Sequence, residues 1–148
     1  MQSELSWHDL FDEKIRTWFD DKFKQASPVQ ESAWAEIAKN KDVLISSPTG
    51  SGKTFAAFLY ILNQLFVKPS TGVKVLYISP LKALSNDIQI NLTKPLEEIG
   101  RLFKTQSVTS KSWTGDTTQS DRNKIRRNPP NILVTTPESL YNLSLIHI

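Results

Sequence analysis

The sequence contains no cysteine, and this absence excludes two kinds of protein. A disulfide-stapled fold needs paired cysteines, and a thiolate metal site needs cysteine ligands. The absence also suits a reducing compartment. The two histidines, His8 and His147, are isolated, and no paired-carboxylate, catalytic-triad or metal-ligand cluster is apparent in the chain.

Long apolar runs are absent as well. The longest, Phe55–Leu62, is far shorter than the ~20 residues that a membrane-spanning helix needs. Residues 1–14 are acidic and interrupted by charge, unlike the basic and then apolar start of a secretory signal. We therefore expect no membrane partner and a cytoplasmic location.

The chain has enough apolar sequence for a folded domain. Hydrophobic residues make up 39% of its 148 residues, which excludes a disordered chain and predicts one domain. The net charge of +3 indicates little by itself, but residues 101–127 hold seven basic side chains against two acidic ones. Such a segment favours a polyanion such as nucleic acid, and an ordinary solvated surface is the alternative.

The spacing of apolar residues predicts an alternation of helices and strands. The predicted helices cover residues 8–23, 28–39, 53–67, 81–93 (stopped near Pro95) and 118–127. The predicted strands cover residues 42–46, 73–79, 105–110 and 132–136. Ser27 can cap the second helix through its hydroxyl, and Pro28 fits the first helical position. The first two strands lack alternation, which is typical of strands buried on both faces, so we predict an α/β fold with a parallel sheet.

A glycine-containing string between the first predicted strand and the third predicted helix matches the Walker A pattern, except that its first residue is serine. Gly50 and Gly52 permit backbone angles that let amides approach phosphate oxygens. Lys53 would bind the β- and γ-phosphates, and the Thr54 hydroxyl would bind Mg²⁺. The string consists of Ser47, Pro48, Thr49, Gly50, Ser51, Gly52, Lys53 and Thr54. It predicts a nucleotide site, with Lys53 and Thr54 as its catalytic pair.

In the form SPTGSGKT, this loop resembles motif I of superfamily 2 helicases, where a small residue other than glycine often comes first. One string before it and three after it agree with the family in order and spacing. They resemble the Q motif, motif Ia, a short glycine-containing motif and motif Ib. In this sequence they are Phe23 with Ser27–Gln30, Ser79–Leu84, Thr114–Asp116 and Thr135–Leu140.

The residues of these motifs are most similar to those of the large helicase-related (Lhr) group of DEAD/DEAH-box-type helicases. The resemblance implies a RecA-like P-loop NTPase lobe, ATP and Mg²⁺ as cofactors, and single-stranded DNA or RNA as partner. It also implies 3′-to-5′ translocation and a role in DNA repair. Gln30 would read the adenine edge, with Phe23 packed nearby. The residues that would contact the backbone of the nucleic-acid strand are Pro80, Leu81, Lys82, Thr114, Gly115, Asp116, Thr136, Pro137 and Glu138.

The acidic DExH string that this family uses for hydrolysis does not occur in the chain. Asp-Glu is found only at Asp12–Glu13, ahead of motif I. We therefore expect residues 1–148 to form a partial helicase ATP-binding domain, with N-terminal helices at about 8–39. Its last strands and the second RecA-like lobe would be missing, and hydrolysis would be negligible. Residues 144–148 are expected to be non-native sequence.

Two other functions stay open. The chain could belong to a different P-loop NTPase, such as a kinase or a transporter ATPase, and the effect of Gln30→Ala on ATP-versus-GTP preference would discriminate. It could also be a truncated, non-catalytic module that only binds nucleotide or nucleic acid. The four tryptophans could stack on bases, but Trp18 and Trp34 lie in helical apolar stripes and are expected in the core.

Overall fold

The computed structural model describes residues 6–104 and 108–145. The chain divides into two compact units, Met1–Lys68 and Pro69–Ile148. The first unit carries the glycine loop and the helices around it. The second carries a parallel sheet and the three strings predicted to bind a nucleic-acid strand.

The first unit is helical. A 3₁₀ helix at Trp7–Leu10 is followed by α1 (Glu13–Phe23), α2 (Pro28–Ala38) and α3 (Lys53–Val67). Aromatic side chains from all these helices pack together, with Trp34 and Phe19 fully buried. The Trp34 indole Nε1 donates to the Phe55 carbonyl oxygen at 2.9 Å, which satisfies its polar atom within the core. The expectation that Trp18 and Trp34 are core residues is confirmed, since both are buried.

The predicted first helix, 8–23, is wrong as a single element. It is interrupted before Asp12, which is the N-cap of α1 and accepts from the Lys14 N–H through its side chain. The Asp12 N–H donates to the buried Asn63 Oδ1 at 2.8 Å, an acceptor on α3. A capping side chain and a long-range acceptor outweigh continuation of the helix, and apolar spacing reports neither.

The next two helices agree with their predictions. Ser27 and Gln30 form a capping box at the start of α2, and Pro28 occupies its first turn. Helix α3 runs over Lys53–Val67, as predicted, and seven of its side chains are buried. The uncharged sequence after Lys53 thus does correspond to a deeply packed helix.

The predicted strand 42–46 is not formed. These residues carry no strand structure, and the side chain of Leu44 is 94% exposed. A strand exists only when a neighbouring strand pairs with its backbone, and within residues 6–104 and 108–145 no strand does so here. The apolar composition of residues 42–46 therefore did not suffice to form a strand.

The second unit contains a three-stranded parallel sheet in the order β1-β3-β2. The strands are β1 (Val75–Ile78), β2 (Ser110–Trp113) and β3 (Ile132–Thr135). Every residue of the central strand β3 is buried. The predicted α/β class with a parallel sheet flanked by helices is confirmed.

Two strand predictions need correction. Leu76 and Ile78 of β1 are 44% and 46% exposed, so this strand is not buried on both faces as predicted for 73–79. The strand predicted at 105–110 is observed at Ser110–Trp113, and residues 105–107 lie outside the described residues. Its sequence, Ser-Lys-Ser-Trp, is too polar for a hydrophobic pattern to detect. Among the described residues β2 pairs only with β3, and such an edge strand tolerates polar side chains.

Helix α4 (Lys82–Phe103) continues past Pro95, where the predicted helix was expected to stop. Its buried stripe runs through Leu92, Pro95, Leu96 and Ile99. A proline inside a helix costs about 3 kcal/mol, and burial of this stripe at three- and four-residue spacing offsets that cost.

Helices α5 (Gln119–Arg127) and α6 (Pro137–Leu145) complete the described elements. The prediction for α5 is confirmed, with Thr118 as its N-cap. Residues 146–148 of the tail expected to be non-native lie outside the described residues. Within the described part of the chain, no helix is both long and apolar enough to span a bilayer.

Candidate functional site

The glycine loop at 47–54 places two glycines in a conformation that other residues avoid. Gly50 and Gly52 have φ angles of 80° and 84°. Gly52 is also the N-cap of α3, so the unpaired amides of the first helical turn follow it directly. This arrangement offers backbone donors and the positive helix end to an anion.

Side chains of the loop make hydrogen bonds within the loop itself. Lys53 Nζ donates to the Ser47 carbonyl oxygen, and the hydroxyls of Ser47 and Ser51 bond to each other. Ser51 Oγ also donates to the Pro48 carbonyl oxygen at 2.7 Å. A bound phosphate would therefore replace the neutral Ser47 carbonyl as the acceptor of the Lys53 ammonium group, because a charged acceptor forms the stronger hydrogen bond.

The start of α2 is joined to the glycine loop through two side chains. Gln30 Nε2 donates to the Gly52 carbonyl oxygen at 3.1 Å, and Ser27 Oγ donates to the Ser51 carbonyl oxygen at 2.9 Å. The Gln30 amide also fills the space that a Cβ at position 52 would need. The structure thus brings together two strings that are 22 residues apart. The contact made by Ser27 was missed, because its capping role was the only signal visible in sequence.

Phe23 is the last residue of α1 and is 44% exposed. Its ring centroid lies 5.2 Å from that of Phe55, in the first turn of α3, and 4.9 Å from that of Phe19. The aromatic ring predicted to lie near the base therefore sits beside the first turn of the helix that follows the glycine loop. Its packing against adenine stays a prediction.

Thr54, the residue predicted to bind Mg²⁺, is exposed at the first turn of α3. Its hydroxyl has no hydrogen-bond partner among the described residues, so it is available as a ligand. Within the same part of the chain, no group of three or more His, Cys, Asp or Glu side chains could hold a metal. One protein hydroxyl fits a Mg²⁺ that takes its remaining ligands from phosphate and water.

The second unit gathers its three strings at one edge of the sheet. The parallel register pairs Ile78 with Thr135 and Trp113 with Thr135, so the three strands end side by side. The segments beginning at Ser79, Thr114 and Thr136 follow directly. Carboxyl ends of parallel strands are where ligands bind in open α/β sheets.

Hydrogen bonds and one ion pair connect these strand ends. The Ser79 N–H donates to the Thr135 carbonyl oxygen at 2.8 Å, and Thr135 Oγ1 donates to the Trp113 carbonyl oxygen at 2.7 Å. Lys82 Nζ lies 3.2 Å from Asp116 Oδ1. The strings around Lys82 and Asp116, 34 residues apart in sequence, are thus neighbours in the fold.

Lys82 lies across Gly115. A Cβ at position 115 would be 3.0 Å from Lys82 Nζ and 3.1 Å from its Cε. The absence of a side chain at Gly115 therefore lets the ammonium group lie against the loop backbone. Both side chains of the Lys82–Asp116 pair are substantially exposed, so the pair itself contributes little to stability.

The other residues that were predicted to contact a nucleic-acid strand differ in solvent exposure. Pro80 and Leu81 are exposed, as are Pro137 and Glu138. Thr114 and Thr136 are buried, and the Thr136 hydroxyl lies 3.2 Å from Ser139 Oγ at the start of α6. These two side chains therefore shape their loops and are not exposed for contact with a nucleic-acid strand.

Polar residues around the start of α5 line an open cleft of about 530 Å³ beside β2, and its lining includes Lys111, Asp116 and Lys124. The pKa of Asp121 is lowered, first by the hydrogen bond from the Thr118 hydroxyl and then by Lys124. The Thr118 Oγ1–Asp121 Oδ2 distance is 2.9 Å. A carboxylate charged over a wide pH range thus lies at the N-terminus of α5, where negative charge is favourable.

A parallel sheet and a glycine loop that opens a helix define the α/β class of P-loop NTPase lobes. The sequence profile of the DEAD/DEAH box helicases matches residues 27–147. The chain belongs to this family.

Several relatives are Lhr helicases. The chain is 43% identical over 147 residues to the Lhr helicase/uracil glycosylase of Escherichia coli, covering 90% of this chain and 10% of that protein. It is 41% identical over 148 residues to the ATP-dependent helicase Lhr-Core of Methanocaldococcus jannaschii, covering 93% of this chain and 18% of that protein. The chain thus spans under a fifth of the length of these relatives.

Solved structures agree with this assignment. The Mycobacterium smegmatis helicase Lhr bound to ssDNA and AMP-PNP superposes with a TM-score of 0.86 at 40% identity, over 92% of this chain and 18% of that one. The DUF1998 helicase MrfA bound to DNA and AMPPNP gives 0.81 at 27% identity, over 94% and 19%. The predicted resemblance to the Lhr group and the predicted RecA-like lobe are confirmed.

Proposed function

We propose that this protein is the first motor lobe of an ATP-dependent helicase, binding ATP at Ser47–Thr54 and a nucleic-acid single strand at the carboxyl edge of its sheet. The observation that carries the proposal is the joining of the α2 start to the glycine loop. Gln30 donates to the Gly52 carbonyl oxygen, and Ser27 donates to the Ser51 carbonyl oxygen. A group that would read the base thereby also holds the loop that would bind the phosphates.

Three groups would hold the triphosphate and its Mg²⁺. The amides that follow Gly50 and Gly52 would donate to its oxygens, as positive φ angles and the α3 N-terminus allow. Lys53 would exchange its Ser47 carbonyl for the β- and γ-phosphates. The exposed Thr54 hydroxyl would hold Mg²⁺, which supplies charge neutralisation at the phosphates when bound.

The strand site is supported by the register of the sheet. The ends of β1, β2 and β3 lie side by side, which brings Pro80–Lys82, Thr114–Asp116 and Thr136–Glu138 to one edge. Loop amides, exposed polar groups and a cation at such an edge suit the phosphate backbone of a strand, which needs no base-specific contact. The Lhr structure, which is bound to ssDNA and AMP-PNP, and the MrfA structure, which is bound to DNA and AMPPNP, support the same two ligands.

The activity of the whole protein would be ATP-driven translocation along a single strand of DNA or RNA, with a second RecA-like lobe and an acidic DExH string completing the motor. A role in DNA repair and a cytoplasmic location belong to the same proposal. Residues 1–148 alone would bind nucleotide weakly and hydrolyse it negligibly, because hydrolysis also needs groups that orient water and neutralise the transition state.

The test is a steady-state ATPase assay with and without single-stranded DNA. We expect the full-length protein to turn over ATP in the ordinary enzyme range of about 1–10³ s⁻¹ when DNA is present, and residues 1–148 to show almost none. Lys53→Ala in the full-length protein serves as the matched inactive variant. Equal hydrolysis with and without DNA would contradict the motor function, and equal hydrolysis by Lys53→Ala would contradict the nucleotide site.

A further inference from the structure

The loop between β2 and α5, Thr114–Thr118, is held by an arginine that no family string contains. Arg122 lies on α5, and its Nη2 donates to the Thr114 carbonyl oxygen at 3.1 Å. The same oxygen accepts from the Thr117 N–H at 3.2 Å, so both of its lone pairs are used. The orientation of the Thr114 carbonyl is therefore set by two donors, one of which is charged.

Trp113 holds the Arg122 guanidinium in this position. Arg122 Cζ lies 5.4 Å from the centroid of the Trp113 ring. The ring is buried in a cluster with Ile125, Leu133 and Leu143, so it forms a fixed platform. The Arg122 Nε has no hydrogen-bond partner in the part of the chain that the structure describes. The ring and the Thr114 carbonyl are therefore the contacts that fix the side chain.

Fixing the Thr114 carbonyl also fixes the next amide. A trans peptide is planar, so the Thr114 C=O and the Gly115 N–H point in opposite directions. Because the carbonyl points toward Arg122, the Gly115 N–H points away from it. This N–H has no acceptor among residues 6–104 and 108–145, whereas the Asp116 N–H donates to Thr114 Oγ1.

A cation lies beside the residue that carries this free donor. Lys82 Nζ would be 3.0 Å from a Cβ at Gly115, so the ammonium group lies against the backbone of the same residue. A backbone N–H and an ammonium group at the same loop residue suit a phosphate group of a nucleic-acid strand. The loop thus offers a phosphate contact whose direction depends on Arg122.

We propose that Arg122 is a positioning residue for single-strand binding, acting through the Thr114 carbonyl to aim the Gly115 N–H at a backbone phosphate. The inference rests on the proposed function, since it requires the strand to lie over Thr114–Asp116. Arg122 itself makes no contact with the strand. Its guanidinium acts on the loop, and the loop binds the phosphate.

Arg126 provides a matched control. It lies on the same helix, carries the same charge, and its Cζ is 5.3 Å from the centroid of the same Trp113 ring. Its hydrogen bond goes to Asn123 Oδ1 on α5, at 3.3 Å, and not to the loop. Arg122→Ala and Arg126→Ala therefore remove equal charge and equivalent ring contacts, but only the first releases the Thr114 carbonyl.

The experiment measures binding of a fluorescein-labelled oligodeoxythymidine to the full-length protein by anisotropy, between about 50 and 200 mM salt. We expect Arg122→Ala to raise the Kd about three- to tenfold, the usual effect of one hydrogen bond, at every salt concentration. The slope of log Kd against log salt should stay that of the unmodified protein. A cation that touches a phosphate would instead change it by about 0.7.

Arg122→Lys separates the hydrogen bond from the charge, and its aliphatic side chain keeps packing that alanine removes. It keeps the charge but replaces the planar fork by one ammonium group. We expect it to weaken binding more than Arg126→Ala does, although it removes no charge. Affinity for a fluorescent ATP analogue should be unchanged in all three variants, which separates an effect on the loop from general loss of structure.

Three results would overturn the inference while leaving the proposed function intact: Arg122→Ala binding like the unmodified protein, a slope reduced by about 0.7, or Arg126→Ala weakening binding as much as Arg122→Lys. Failure of the unmodified protein to bind the oligonucleotide would refute the proposed function and this inference together.

Discussion

Gln30 Nε2 donates to the Gly52 carbonyl oxygen at 3.1 Å, and its amide occupies the space that a Cβ at position 52 would need. The Gln30 side chain is also tied to its own helix start, because its Oε1 accepts from the Ser27 N–H at 2.9 Å. One buried amide thus joins the capping box of α2 to the glycine loop, and its loss should affect both.

The two loop glycines should differ in their tolerance of alanine. Both have a positive φ, which costs about 1–2 kcal/mol for a residue with a side chain. A Cβ at Gly50 would meet nothing, whereas one at Gly52 would displace Gln30 from its acceptor, at an added cost of about 1 kcal/mol. Urea unfolding should therefore show a larger loss of free energy for Gly52→Ala than for Gly50→Ala, and equal losses would contradict the contact.

Gln30→Ala should reduce the preference for ATP over GTP. A carboxamide both donates and accepts, which matches the adenine edge and mismatches guanine. Competition of both nucleotides against a fluorescent analogue measures the preference. Gln30→Glu is the control, because it keeps the acceptor for the Ser27 N–H and removes the donor. An unchanged preference in both variants would contradict the assignment of base reading to Gln30.

Lys53→Ala should weaken ATP binding by about ten- to a hundredfold, the range of a hydrogen bond to a charged group. The ammonium group now bonds to the Ser47 carbonyl oxygen, so the variant leaves that loop carbonyl without its donor as well. Lys68→Ala, directly after the other end of α3, is the matched control and should leave the affinity unchanged. Isothermal titration with a non-hydrolysable ATP analogue would measure the affinity of both variants. Similar affinities of Lys53→Ala and Lys68→Ala would contradict a phosphate contact at Lys53.

Lys82→Ala should reduce the salt dependence of oligonucleotide binding. If Lys82 neutralises one phosphate, the slope of log Kd against log salt should fall by about 0.7 for a single strand. Lys94→Ala is a suitable control, since Lys94 lies on the same helix and pairs with Glu98 at 3.9 Å. Stability should change by less than about 1 kcal/mol in either variant, because both lysine side chains are largely exposed. Equal slopes for the two variants would argue against contact at Lys82.

Thr118→Val should raise the pKa of Asp121 toward its ordinary value. The hydrogen bond from the Thr118 hydroxyl is the main cause of the lowered pKa, and Lys124 is the second. A depressed carboxyl pKa contributes stability above the unfolded-state pKa, and that contribution is lost as the pH falls through the folded-state pKa. Carbon-13 titration of the Asp121 carboxyl group would measure the shift. A larger rise in Lys124→Ala than in Thr118→Val would reverse the order of causes.

Local signals in the sequence were sufficient for several elements. Ser27 and Pro28 predicted the start of α2, and the uncharged run after Lys53 predicted α3 over the residues where it forms. Caps, proline and helical apolar spacing act within a few residues of themselves, so they can be recognised without a partner. The family strings likewise predicted the class of fold.

Strands were predicted less well, because a strand depends on its neighbours. Residues 42–46 are apolar but pair with nothing among the described residues, whereas Ser110–Trp113 is polar and pairs with β3. Helix α4 also runs through Pro95, since burial of its apolar stripe outweighs the local cost. In each case the deciding interaction is with residues distant in sequence.

The amino-acid sequence alone determined the composition of the glycine loop, the capped helices and the family resemblance, because these depend on nearby residues. Only the tertiary structure decided that Gln30 contacts Gly52, that Lys82 lies over Gly115 and that Arg122 binds the Thr114 carbonyl. Those contacts follow from helix docking and strand register, which bring together side chains and backbone groups that no local pattern relates.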